Sequence, residues 1–164
     1  MDMLKNWLLP KPRIPSPYKF SVVDIYEQKK ADDQTASTLG NYLLLSHGNP
    51  KMIEEEIKLL VEDTTILNLN ILKEYLEKEI LPKKKKISTR IGNFGEILAA
   101  NLLIEFEDFQ LPIFKLRLRE KLDWAIRLTD ICLVKDHNKE TPTICYGEAK
   151  TKSDKADLDI GIKG

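Results

Sequence analysis

The chain has 164 residues, 42% hydrophobic and 32% charged, enough to bury one good core and too apolar for a disordered segment. Lys and Arg total 26 and Asp and Glu total 26, a formal net charge of +0, so no global basic field announces a nucleic-acid binder and any polyanionic partner must meet a local patch. No run approaches the ~18 apolar residues of a membrane span and residues 1–10 lack a signal peptide's apolar region, while Cys132 and Cys145 stand apart without CxxC spacing, which predicts reduced core thiols in a cytoplasmic protein with no membrane partner.

Taken in order, Pro10, Pro12, Pro15 and Pro17 predict an extended opening, followed over residues 18–26 by one short strand or a segment covering a groove. Residues 28–38 are polar. Residues 38–45 predict a short helix that stops near Gly48, with His47 read as a turn or C-cap histidine because no second ligand or nucleophile keeps it company. Asn49-Pro50 is a helix start, a cap residue followed by proline at the first helical position, and Met52, Ile53, Ile57, Leu60 and Val61 recur at helical spacing. Thr64 or Thr65 opens another helix, with Ile66, Leu69, Ile71, Leu72, Tyr75, Leu76 and Ile80 facing inward and Pro82 ending it. The four-lysine run at 83–86 reads as a solvated linker, with phosphate contact as the other reading. It marks the boundary between a mostly helical region, 1–82, and a second unit, 87–164.

In that second unit Ser88 or Thr89 can cap a helix over 93–106, where Phe94, Leu98 and Leu102 form one apolar row and Ile97, Asn101 and Ile104 its neighbour. Glu96 lies off both rows. Its helical neighbours are Ala99, Ala100 and Leu103, which predicts an inward-pointing acid; an exposed glutamate favoured by the helix dipole is the alternative. Residues 111–120 alternate, with Phe114, Leu116 and Leu118 on one side and Lys115, Arg117 and Arg119 on the other, so a half-exposed strand is expected whose basic face is either a phosphate rim or plain surface. After a connection at 121–127, residues 128–134 are apolar on both faces and predict a central strand holding Asp130. An unpaired aspartate there would neutralise, so a cation is expected beside it.

Asp136, His137, Asn138 and Lys139 supply turn residues, and the strand over 144–150 then lies antiparallel to that of Asp130. On it Ile144, Tyr146, Glu148 and Lys150 share one face and Cys145, Gly147 and Ala149 the other. Burying an acid and a base on an apolar strand is costly unless they pair or hold a metal, so this stretch predicts a site. Residues 155–164 begin a further helix that does not complete.

An acid on a leading helix (Glu96), then Asp130 on one strand and Glu148-Ala149-Lys150 on the next, resembles the PD-(D/E)xK nuclease superfamily. Within it, the runs Arg90-Ile91-Gly92-Asn93-Phe94-Gly95-Glu96, Thr129-Asp130-Ile131 and Tyr146-Gly147-Glu148-Ala149-Lys150 look most like the nuclease subunit of the Hachiman antiphage system. The resemblance covers the C-terminal half. Asp130 is followed by Ile131, so the literal Pro-Asp is absent. The resemblance implies an α/β (α+β) fold with a restriction-endonuclease-like core: a helix, a mixed sheet of three or more strands, then a helix, here truncated. It also implies a Mg²⁺- or Mn²⁺-dependent endodeoxyribonuclease acting on DNA in antiphage defence, with a helicase as partner subunit. Asp130, Glu148, Glu96 and the Ala149 carbonyl would be the metal ligands. Lys150, with a lowered pKa, would orient or deprotonate the attacking water. Gly147, Ala149, Ala99 and Ala100 would let the helix approach the sheet. A non-catalytic nucleic-acid-binding or assembly subunit of a defence complex is the alternative; being truncated, the chain would depend on a partner or be inactive alone.

Overall fold

Both hydrophobic clusters among the described residues are built on one long helix, Ile87–Glu107. The computed structural model describes residues 3–13, 20–62, 69–83, 85–118 and 129–151. The elements are α1 (Met3–Trp7), β1 (Leu8–Pro12), β2 (Val23–Glu27), α2 (Asp33–His47), α3 (Pro50–Glu62), α4 (Leu69–Tyr75) continuing as a π turn (Leu76–Ile80), α5 (Ile87–Glu107), a 3-10 turn (Lys115–Leu118), β3 (Ile131–Lys135) and β4 (Thr143–Gly147). No helix among the described residues is long and apolar enough to cross a membrane.

One face of α5 carries Leu98, Leu102 and Phe106 at four-residue spacing, and these pack with Met3, Leu4 and Leu8 of the N-terminal segment. The adjoining face carries Ala99, Ala100, Leu103 and Ile104 against Ile131 and Leu133 of β3. The alanines bring the helix axis close to the hairpin, and Glu96, one turn earlier, lies on that same face. The buried carboxylate of Glu105 joins α5 to the N-terminal region: it accepts the Leu4 backbone N–H at 2.9 Å and the Tyr42 hydroxyl at 2.8 Å.

Helix boundaries depart from the predicted ones for local reasons. α5 begins at Ile87, ahead of the expected start at 93, so Ser88 and Thr89 lie inside its first turn and the cap residue is Lys86, without a side-chain cap. The Arg90 guanidinium holds that turn by donating to the Pro82 carbonyl at 2.8 Å. At its other end Asp108 adopts φ 56, a left-handed conformation that a short polar side chain tolerates. α2 starts earlier than expected because Asp32 caps it, its Oδ1 accepting the Thr35 N–H at 2.8 Å and the Thr35 hydroxyl at 2.6 Å. Those two bonds, the hydroxyl's first, hold the Asp32 carboxyl down at about 2. α3 begins at Asn49-Pro50 as predicted, although Met52 of its expected inner stripe is exposed. His47, expected as a turn or C-cap histidine, is the last residue of α2, next to the C-cap Gly48, and is buried. Its Nδ1 faces the Leu43 carbonyl at 2.8 Å and its Nε2 meets the Asn93 amide at 3.0 Å, which stitches α2 to α5.

Of the prolines expected to hold the opening extended, Pro10 and Pro12 lie in β1, which follows helical α1 and pairs antiparallel with β2 from Leu8↔Glu27 to Pro12↔Val23; Pro15 and Pro17 lie outside the described residues. β3 and β4 form the predicted antiparallel hairpin, Ile131↔Gly147 to Lys135↔Thr143, closed by a turn in which Asp136 takes φ 57. The described residues therefore form two two-stranded sheets, where a mixed sheet of three or more strands was expected. Gln110 bridges Val134 on the outer side of β3, but the expected strand over 111–120 goes no further. Pro112 has no N–H and a fixed φ, so the ladder cannot continue past that single bridge. The chain instead coils into the 3-10 turn, burying Leu116 and leaving Leu118 exposed.

The helix start at Thr64 or Thr65 with Ile66, the connection at 121–127, Arg119, Leu128 and the helix expected over 155–164 lie outside the described residues.

Candidate functional site

The 3-10 turn decides where Lys115 points. Arg117 stacks on the Phe114 ring at 3.8 Å and donates through Nε to the Leu45 carbonyl of α2 at 2.8 Å, which pins the turn from outside. Lys115, predicted on an exposed basic face, is thereby aimed inward, and its side chain is 13% exposed. Its Nζ lies 2.9 Å from Oε2 of Glu96, 3.3 Å from Oδ1 of Asp130 and 3.2 Å from the Thr129 carbonyl. The cation expected beside Asp130 is thus Lys115, brought from fifteen residues earlier in the chain. Sequence reading passed it over; the signal available was Pro112, which argues against the strand that would have turned Lys115 outward.

Glu96 sits on the hairpin face of α5, its side chain 19% exposed. Asp130 stands just before β3 rather than inside it, its side chain 23% exposed. Oδ2 of Asp130 accepts the Ala149 N–H at 3.0 Å, and the Thr129 hydroxyl donates to the Gly147 carbonyl at 3.0 Å. These two bonds extend the hairpin past its last ladder pair and fix both strand ends.

Glu148 and Lys150 lie beyond β4 and pair with each other. They are 64% and 49% exposed, and Ile144 and Tyr146 on the same face are exposed too. The expected buried acid and base is therefore corrected: this face is open, and the small residues Cys145, Gly147 and Ala149 turn toward the interior. A Cβ on Gly147 would come within 3.3 Å of Ile131, and on the facing helix one on Gly95 would collide with the Thr151 side chain. The close approach of helix and strand end is made at Gly95 and Thr151. The expected lowering of the Lys150 pKa is also corrected. The Glu148 carboxylate, with a smaller contribution from Asp130, holds Lys150 above its ordinary value, so it stays a cation.

Glu96 and Asp130 thus converge on one point, and Glu148 is turned toward Lys150. Among the described residues no three Asp, Glu, His or Cys side chains gather as a metal-binding group. Two hard carboxylates still fit Mg²⁺ or Mn²⁺, which take one or two carboxylates and fill the remaining positions with water. The Lys115 ammonium stands at that point. Beside it opens a cavity of ≈ 230 Å³, lined by Ile97, Ala100, Leu111, Phe114 and Cys132, with Glu96, Lys115 and Asp130 in its wall.

Fold and site together define a mixed α/β protein in which a helix and a β-hairpin hold a lysine-bridged acid pair beside a solvent-facing acid–lysine pair. The family model of HamA matches residues 2–163, and the chain belongs to the HamA family, components of Hachiman antiphage defence. No curated protein and no solved structure matches the chain.

Proposed function

We propose that this chain is the nuclease component of a Hachiman defence system, an Mg²⁺- or Mn²⁺-dependent endodeoxyribonuclease working with a helicase partner. The observation that carries the reading is the convergence of Glu96 and Asp130 on one cation position, with the Ala149 N–H bonded to Asp130 and the Glu148–Lys150 pair on either side of Ala149 in the chain. Membership of the HamA family supports the defence context.

In this reading Glu96 and Asp130 would hold the ion, with Glu148 or the Ala149 carbonyl as a further oxygen donor. When bound, a divalent ion polarises a phosphate oxygen and lowers the pKa of coordinated water. Asp130 is held in place for this by its bond from Ala149 N–H, so that its free lone pairs point at the shared position. Lys150, kept charged by Glu148, places a positive charge at the rim where a phosphate would arrive, stabilising the negative charge that develops during displacement. In this reading it serves as an electrostatic group and a positioner of the attacking water.

One observation favours a second reading, a non-catalytic nucleic-acid-binding or assembly subunit. Glu96 and Asp130 are matched by Lys115, and Glu148 by Lys150, as in a structural ion-pair network. Incubating the full chain, with and without a helicase partner, on plasmid, linear and single-stranded DNA with Mg²⁺, Mn²⁺ or EDTA separates the two. The nuclease reading expects metal-dependent cutting that Asp130→Ala abolishes and Lys150→Ala slows by about 10²-fold, the usual yield of one stabilising donor. Equal cutting by these variants, or cutting in EDTA, would sink it.

A further inference from the structure

We infer that Lys115 is a resident counter-ion seated in the cation position between Glu96 and Asp130, and that a divalent ion binds by displacing it. This rests on the metal-dependent reading above and adds the residue that competes with the ion.

The charge balance favours such an exchange. One ammonium against two carboxylates leaves the cluster one negative charge in excess, whereas a divalent ion in its place neutralises both acids while the lysine carries its own charge out toward solvent. The contacts are those of a replaceable ligand: at 2.9 and 3.3 Å from its two carboxylates, Lys115 presents a compact charge with freely rotating donors and lacks the planar two-point grip of an arginine. Its backbone is held independently of its ammonium, since the turn is pinned by Arg117 on the Leu45 carbonyl and by buried Leu116. The side chain can therefore swing while the turn stays. The adjoining ≈ 230 Å³ cavity, largely apolar, has room for the aliphatic stem of the displaced lysine. Lys115 would in this way keep two partly buried acids compensated until an ion arrives.

The test is made on the full chain with Mn²⁺ as probe. Affinity is measured calorimetrically for the native protein, for Lys115→Met, which keeps the stem and removes the charge, and for Asp130→Asn. Lys115→Met is expected to bind Mn²⁺ at least about tenfold more tightly, and Asp130→Asn to lose binding. A second measurement needs no variant to fold: acylation of Lys115 by an amine-reactive ester, mapped by mass spectrometry, is expected to rise severalfold at saturating Mn²⁺ while surface lysines stay constant. Native protein that binds Mn²⁺ with Lys115 labelling unchanged, or a folded Lys115→Met that binds no more tightly, overturns the inference and leaves the nuclease reading standing. Absence of Mn²⁺ binding in both the native protein and Lys115→Met overturns the inference together with the metal-dependent reading.

Discussion

The backbone N–H of Ala149 donates to Oδ2 of Asp130 at 3.0 Å, so the residue between Glu148 and Lys150 is locked to the acid that precedes β3. Asp130 bonds Ala149 through one oxygen and Lys115 through the other, and so joins the end of the hairpin to the 3-10 turn. Asp130→Ala removes both acceptors from partly buried donors and is expected to lower stability by about 1.5–3 kcal/mol, the range for hydrogen bonds to charged groups. Asp130→Asn keeps an acceptor for the amide and should lose less. Urea denaturation of the two variants checks the order.

Two glycines of α5 predict opposite signs for one substitution. Nothing among the described residues lies within 4 Å of a Cβ built on Gly92, so Gly92→Ala is expected to stabilise by about 0.5–1 kcal/mol, the gain of alanine over glycine within a helix. A Cβ on Gly95 runs into the side chain of Thr151, so Gly95→Ala is expected to destabilise by about 1–3 kcal/mol as strand end and helix part. Thermal unfolding measures both, and combining Gly95→Ala with Thr151→Gly should recover much of the loss.

Arg117 is the outer anchor of the turn that carries Lys115. Its stacking on Phe114 and its donation to Leu45 use the flat guanidinium, which lysine cannot copy. Arg117→Ala is expected to cost about 1–2 kcal/mol, and Arg117→Lys to recover little of it. Hydrogen exchange should then quicken at Lys115, Leu116 and Arg117.

The Glu105 clasp has a signature in alkali. Burial first, and the Glu105 carboxylate after it, push the Tyr42 hydroxyl up from 10.0 to about 12. With a raised folded value, the native state holds a proton that the unfolded chain has released. The corresponding stability is present in full below pH 10 and is lost as the pH climbs to about 12. Tyr42→Phe should flatten that decline, and the ultraviolet titration should lose one late tyrosine. Glu105→Ala leaves the buried Leu4 N–H without its acceptor and is expected to cost about 2–3 kcal/mol at neutral pH.

Much of the hairpin was legible because its signals are local: two apolar runs, turn residues at Asp136 and Asn138, and a separation that suits antiparallel neighbours. Glu96 could be placed on a core-facing row because helical periodicity alone sets it beside Ala99, Ala100 and Leu103, which the structure packs against the hairpin. Glu105 carries no such local signal. Its partners Leu4 and Tyr42 lie 101 and 63 residues away in sequence, and nothing local to the helix marks an acid whose acceptors are satisfied from so far.

The amino-acid order by itself determined what short-range physics can enforce: the proline start of α3, the extended backbone at Pro10 and Pro12, the hairpin, and the alternating faces of β4 and the residues that follow it. Tertiary structure decided which of those faces meets the core. Alternation is symmetric, and only the packing of Gly95 against Thr151 and of Gly147 against Ile131 put the small residues inside and left Glu148 and Lys150 in solvent. It also decided that Lys115, one of several cations in an alternating run, would sit between Glu96 and Asp130. A charge finds its partners through where the backbone is docked, and that docking depends on contacts with α2 and α5 that sequence separation conceals.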